Sequence, residues 1–147
     1  MFYRKEDIMA INRREAREAV FGLLFETEFR TEEAREEIYA TSLADREIEE
    51  NDYIRGTYFG VCEHLDEIDE LINKHSRGWK TTRISRVSRS LLRLCVYEML
   101  YCDDIPCNVS LNEAIELCKT FDDENARPFV NGVLNSIKNE IVGAQNG

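Results

Sequence analysis

The chain of 147 residues lacks several things that would have given it an obvious function. A membrane-spanning helix needs an apolar run of roughly 18 residues. No run in this chain approaches that, which argues against a transmembrane segment. Its first ten residues, MFYRKEDIMA, are charged and have no apolar h-region, so no signal peptide is expected there. Its two histidines, His64 and His75, lie eleven residues apart and do not form a catalytic or metal-ligating set. The five cysteines (Cys62, Cys95, Cys102, Cys107 and Cys118) include no C-x-x-C pair. An odd count without metal spacing reads as reduced thiols in a cytoplasmic protein, with no structural zinc. There is no Gly-rich phosphate loop and no nucleophile elbow. The run Asp66-Glu67-Ile68-Asp69-Glu70 lacks the glycine and the oxygen spacing of a calcium loop and reads as a solvated helix face. No catalytic residue, metal or cofactor is therefore expected.

Alternation with period two is also missing, which excludes a sizeable sheet. What is present is helical periodicity. Ala16, Val20, Leu23 and Leu24 form one stripe. Ile54, Tyr58, Val61, Leu65, Ile68 and Ile72 form a near-heptad seam that predicts one long helix. Ile84, Val87, Leu91, Leu94 and Cys95 form a third stripe, Leu111, Ala114, Ile115 and Cys118 a fourth, and Val130, Val133, Leu134, Ile137 and Ile141 a fifth. A more polar helix is expected over 31–47, with Thr31 as its N-cap. Ser110-x-x-Glu113 reads as a capping box, and Asn125-Ala126-Arg127-Pro128 as the start of the last helix. Gly56 and Gly60, four apart on the long helix, predict close packing of soluble helices. The fold class is all-α: two small packed helical bundles of about three plus four helices, over 11–78 and 79–147. Residues 1–10 fit no pattern and are expected to be a disordered N-terminal extension.

Charge is scarce in one sign or the other according to region. The net charge is −10, yet no acid occurs between Arg77 and Tyr97, where Arg77, Lys80, Arg83, Arg86, Arg89 and Arg93 lie. On a helix from about residue 83, the last four fall within an arc of about 120° at about 100° per residue. Arg93, deep among apolar residues, reads as a buried ion-pair partner. Residues 31–50 instead carry eight acids. A second basic cluster, Arg13, Arg14 and Arg17, opens the first helix. Cations there oppose the macrodipole, at a cost of a few tenths to about 1 kcal/mol. Something other than helix stability should favour them, and phosphate is the obvious candidate because guanidinium binds it bidentately. Near the C-terminus Lys119, Phe121, Arg127 and Phe129 flank a turn, and aromatics beside basic groups can stack on unpaired bases. The competing reading of these charges is a protein-interaction adaptor. Its acidic 31–50 segment would bind a basic partner, and its arginines would be ion-paired within the fold.

Together these stretches resemble the NusB family of bacterial transcription antitermination factors. The matching residues are Arg13-Arg14-x-Ala16-Arg17-Glu18, Arg93-Leu94-x-x-Tyr97-Glu98 and Asp104-Ile105-Pro106. They continue with Asn112-Glu113-Ala114-Ile115-Glu116-Leu117, Lys119, and Phe129-Val130-Asn131-Gly132-Val133-Leu134. The resemblance implies two helical bundles without catalytic activity. It implies binding of the single-stranded boxA element of nascent ribosomal RNA, as a heterodimer with the ribosomal protein NusE, in an antitermination complex on RNA polymerase. It places RNA contacts at Arg13, Arg14 and Arg17, and further surface at Arg86, Arg89, Lys119, Phe121, Arg127 and Phe129. Many members have glycine after Lys-x-Phe, where this chain has Asp122-Asp123-Glu124, three acids that oppose phosphate. The sequence leaves open a homodimer that hides the RNA surface.

Overall fold

The computed structural model describes residues 11–77 and 83–146; the extension 1–10 and Lys80 lie outside them. Among the described residues there are seven helices and no strand: α1 Arg13–Thr27, α2 Arg35–Asp45, α3 Asp52–Glu63, α4 Leu65–His75, α5 Arg86–Tyr101, α6 Cys107–Phe121 and α7 Ala126–Asn146. They fall into two compact units that divide inside α3, after Phe59. The sequence suggests a division near Arg77-Gly78 instead, because the apolar seam runs unbroken from Ile54 to Ile72 and gives no sign that its two halves serve different cores.

In the first unit α1 packs on α2. Ala16, Ala19, Val20, Leu23 and Leu24 supply the α1 face, Ile38, Tyr39 and Leu43 the α2 face, and Ile54 and Tyr58 the start of α3, all buried. Tyr39, Tyr58 and Phe59 form a ring cluster, with centroids 5.0–5.8 Å apart. The Tyr58 hydroxyl meets the Thr27 hydroxyl at 2.7 Å. The polar end of this buried ring is thereby satisfied.

The polar helix starts later than the sequence suggests. Its N-cap is Ala34 rather than Thr31, with Glu36 and Glu37 in the first turn. The reason is local: Arg30 binds both Glu26 (2.6 Å) and Glu33, and this holds residues 30–33 as a turn.

In the second unit α5 is central and packs on α4, α6 and α7. Leu91, Leu92, Leu94, Val96, Ile68, Ile72, Leu134 and Ile137 are almost wholly buried there. Arg93 makes the predicted ion pair, a two-pronged contact to Asp69 of α4 (Nε–Oδ1 2.9 Å, Nη2–Oδ2 2.7 Å). Such bidentate pairing is the strong form of a guanidinium–carboxylate contact. The predicted single long helix is two, α3 and α4. His64 leaves helical geometry at φ −105°, ψ 21°, although the Gly60–His64 and His64–Ile68 backbone bonds persist at 3.0 Å. The apolar seam therefore survives the break.

Ser110 is not a cap. Pro106, with φ −59°, takes the N-cap position, so α6 begins one turn earlier than expected. Ser110 then lies buried in the helix, and its hydroxyl donates to the fully buried Glu98 carboxylate of α5 at 2.7 Å. The last helix begins as predicted, at Ala126 with Pro128 in its first turn.

Candidate nucleic-acid interface

The start of α1 shows how the chain offsets its own charge. Asn12 is the N-cap, the position where a side-chain acceptor satisfies a free N–H of the first turn. Its Oδ1 accepts the Glu15 N–H at 2.8 Å, and its amide donates to the Glu15 carboxylate at 3.0 Å. This local box, with one acid in the first turn, stabilises a helix whose first two residues are Arg13 and Arg14. Both side chains are exposed. The Arg13 guanidinium lies 4.4 Å from the centroid of the Tyr53 ring, a cation–π contact. Arg17 differs from them. It is only 4% exposed, with its guanidinium 5.8 Å from the same ring. No pattern in the sequence marks Tyr53; only the packed unit brings it beneath the two arginines.

The second basic helix start is α5. Ser85 caps it by accepting the Ser88 N–H at 3.1 Å, Arg86 is its first residue, and the first turn holds no acid. Arg86 is exposed and Arg89 half-buried. Arg83 precedes the helix rather than lying on it.

At the α6–α7 corner Lys119 is exposed and 3.2 Å from Glu116, Phe121 is 41% exposed, and Arg127 and Phe129 are half-buried. Phe121 is thus the exposed aromatic of this corner. Of the three acids after Phe121, Asp122 is half-buried while Asp123 and Glu124 are exposed. Asp122 accepts the Ser88 hydroxyl of α5, and Asp123 accepts the Asn125 N–H at 3.1 Å.

The acidic 31–50 segment is partly neutralised within its own unit. Arg30 holds Glu33, and Arg55 meets Glu36 at 2.8 Å and Glu50 at 3.6 Å. The Arg30 guanidinium beside Glu33 keeps that carboxyl below its usual range. Burial, with the Glu50 carboxylate next in effect, pushes the Tyr39 phenol up to about 12, so it stays neutral. Among the described residues no group of three or more His, Cys, Asp or Glu is placed to hold a metal ion, and no helix is long and apolar enough to cross a membrane.

Fold and residues together define a class of small all-helical protein with arginine-bearing helix starts. Within that class, the NusB family model matches residues 14–139, and the chain belongs to that family. It is 44% identical to the transcription antitermination protein NusB of Bacillus pumilus, over 89% of this chain and 98% of the relative. It is 45% identical to that of Bacillus subtilis over the same shares. Among solved structures it resembles T. maritima NusB with a TM-score of 0.82 and 40% identity, covering 88% of this chain and 92% of the other. It also resembles a chain in the crystal structure of antitermination factors NusB and NusE in complex with dsRNA. There the TM-score is 0.79 and the identity 29%, covering 87% of this chain and 96% of the other.

Proposed function

We propose that this protein is a non-catalytic, cytoplasmic RNA-binding antitermination factor. It binds the single-stranded boxA element of nascent ribosomal RNA together with NusE, within a complex on RNA polymerase. The observation that carries the reading is the pairing of membership in the NusB family with two exposed arginines at the first two positions of α1. Cations there weaken the helix, and a bound phosphate offsets that effect, since the free N–H groups of the first turn also favour anions. Arg86 at the start of α5 repeats the pattern. Lys119, Arg89 and Arg127 add charge, and Phe121 and Phe129 add surfaces for unpaired bases. Arg17, being buried, supports the α1 arginines from within their own unit. Because part of the acidic segment is already ion-paired within the chain, the adaptor reading has fewer free carboxylates to work with.

The test is fluorescence anisotropy with a boxA-like single strand, a scrambled strand and a duplex, over a salt series, with and without NusE. Preference for the boxA-like strand, strengthened by NusE and weakening with salt, is the expected result. Equal affinity for all three would remove boxA specificity. No binding under any condition would return the chain to the adaptor reading.

A further inference from the structure

In the second unit, the C-terminal end of α4 and the first turns of α7 enclose a cavity of about 380 Å³. Small-ligand pockets typically span about 300 to about 1,000 Å³, so the space is of that kind. Its lining includes Lys74, His75, Arg77, Phe129, Gly132 and Ser136. The wall thus combines cations, a hydroxyl and an aromatic ring.

Two details mark it as more than a packing gap. Arg77 occupies the position after the C-cap of α4, with φ 54°. That left-handed slot favours glycine, and a residue with a side chain is strained there. This strained residue lines the cavity, is exposed, and makes no ion pair with a carboxylate among the described residues. Gly132, also in the lining, sits within α7, where glycine weakens the helix. A Cβ there would meet nothing within 4 Å, so packing does not require the glycine. An open wall does.

The other cation of the wall, Lys74, is held in place. Glu140 binds Lys74, and also His75 Nε2 at 3.3 Å, while His75 Nδ1 lies 2.7 Å from the Ser136 hydroxyl. Among the described lining residues this leaves Arg77 as the cation without a carboxylate partner. The space is far larger than a lone phosphate needs, and one wall is a phenyl ring.

We propose that this cavity takes one nucleotide of the bound RNA strand. Arg77, assisted by Lys74, would hold its phosphate, and the base would lie between Phe129 and the open face at Gly132. The inference rests on the RNA-binding reading above and adds Lys74, Arg77 and Gly132 to it.

Two variants test it in the full-length protein with the boxA-like strand, NusE present, and thermal unfolding measured alongside. Arg77→Gly relieves the backbone strain, so the melting temperature should hold or rise. RNA affinity should fall about three- to tenfold, and the slope of log K against log salt should become shallower by about 0.7, the value for one lost single-strand phosphate contact. Gly132→Leu blocks the open wall while favouring the helix. Affinity should fall about tenfold, the scale of one lost base stack, with the salt slope unchanged. If both variants bind like the parent while Arg14→Ala weakens binding, the cavity takes no nucleotide and the RNA-binding reading stands. If the parent itself shows no salt-dependent binding, that reading fails and the cavity proposal falls with it.

Discussion

Arg17 shares a helix turn with Arg13 and Arg14, yet burial gives it a separate task. Its positions i+3, i+4 and i+7 are Val20, Phe21 and Leu24, all buried, so the same face carries Arg17 inward. At 4% exposure, with its guanidinium near Tyr53, it cannot be removed without leaving a gap and an unsupported ring. Arg17→Ala should therefore lower stability by about 1–2 kcal/mol, through lost packing as much as lost charge. Arg14→Ala should leave stability unchanged or slightly higher, since it removes a cation from the positive end of the helix dipole. Urea unfolding of the two single variants separates these roles. Equal, negligible effects would show that Arg17 is as dispensable to the fold as its exposed neighbours. The spacing that buries Arg17 is visible in the sequence. What obscures it is its company. Three arginines within one stretch read as a single surface cluster, although a helix rotates each successive residue by about 100°.

At the scale of elements, the two glycines of α3 have opposite surroundings. A Cβ on Gly60 would lie 2.2 Å from the Tyr97 hydroxyl and 2.3 Å from its ring, whereas one on Gly56 would meet nothing within 4 Å. Gly60→Ala should cost about 1–3 kcal/mol, as overpacking does, unless Tyr97 is shortened to make room. Gly56→Ala should be neutral or stabilise by up to about 1 kcal/mol from helix propensity alone. Thermal unfolding of both variants, and of Gly60→Ala combined with Tyr97→Ala, checks this. A harmless Gly60→Ala would mean that α3 and α5 are not held at that distance.

The contrast also shows what the sequence could carry. The all-helical class, the five apolar stripes, an ion pair at Arg93 and the start of α7 follow from periodicity, burial and proline chemistry, all read locally, though the choice of Asp69 as the partner of Arg93 is not. The break at His64 is hidden because the apolar seam continues through it. The capping reading of Ser110 fails because Pro106, four residues earlier, starts the helix first. Neither Tyr53 beneath Arg13 nor the cavity that Arg77 shares with Gly132 is legible. Each pairing joins segments far apart in the chain that only the packed unit brings together.

For the whole molecule, acid and salt act on the same charges with different signs. Lys74 beside Glu140, and Arg30 beside Glu33, hold those carboxyls below their usual range. A carboxyl with a lowered folded-state pKa contributes stability above its unfolded value, and that contribution is lost as pH falls through the lowered one. Unfolding midpoints should therefore drop below about pH 4–5, the ordinary carboxylate range, and Glu140→Gln should make that drop shallower. A slope identical to the parent's would mean the Lys74–Glu140 pair adds nothing in solution.

Salt gives the complementary test. With a net charge of −10, the free chain repels itself. Screening over a Debye length of about 10 Å, its value at about 0.1 M salt, should relieve that repulsion. Raising salt from about 20 mM to about 200 mM should therefore hold or raise the melting temperature of the free protein. Over the same range RNA affinity should fall, because each neutralised phosphate releases a counterion that the added salt opposes. A melting temperature that falls in parallel with affinity would mean that local ion pairs such as Arg30–Glu33 and Lys74–Glu140 outweigh the global repulsion. The loss of binding at high salt would then have to be separated from loss of fold before any of it could be attributed to phosphate contacts.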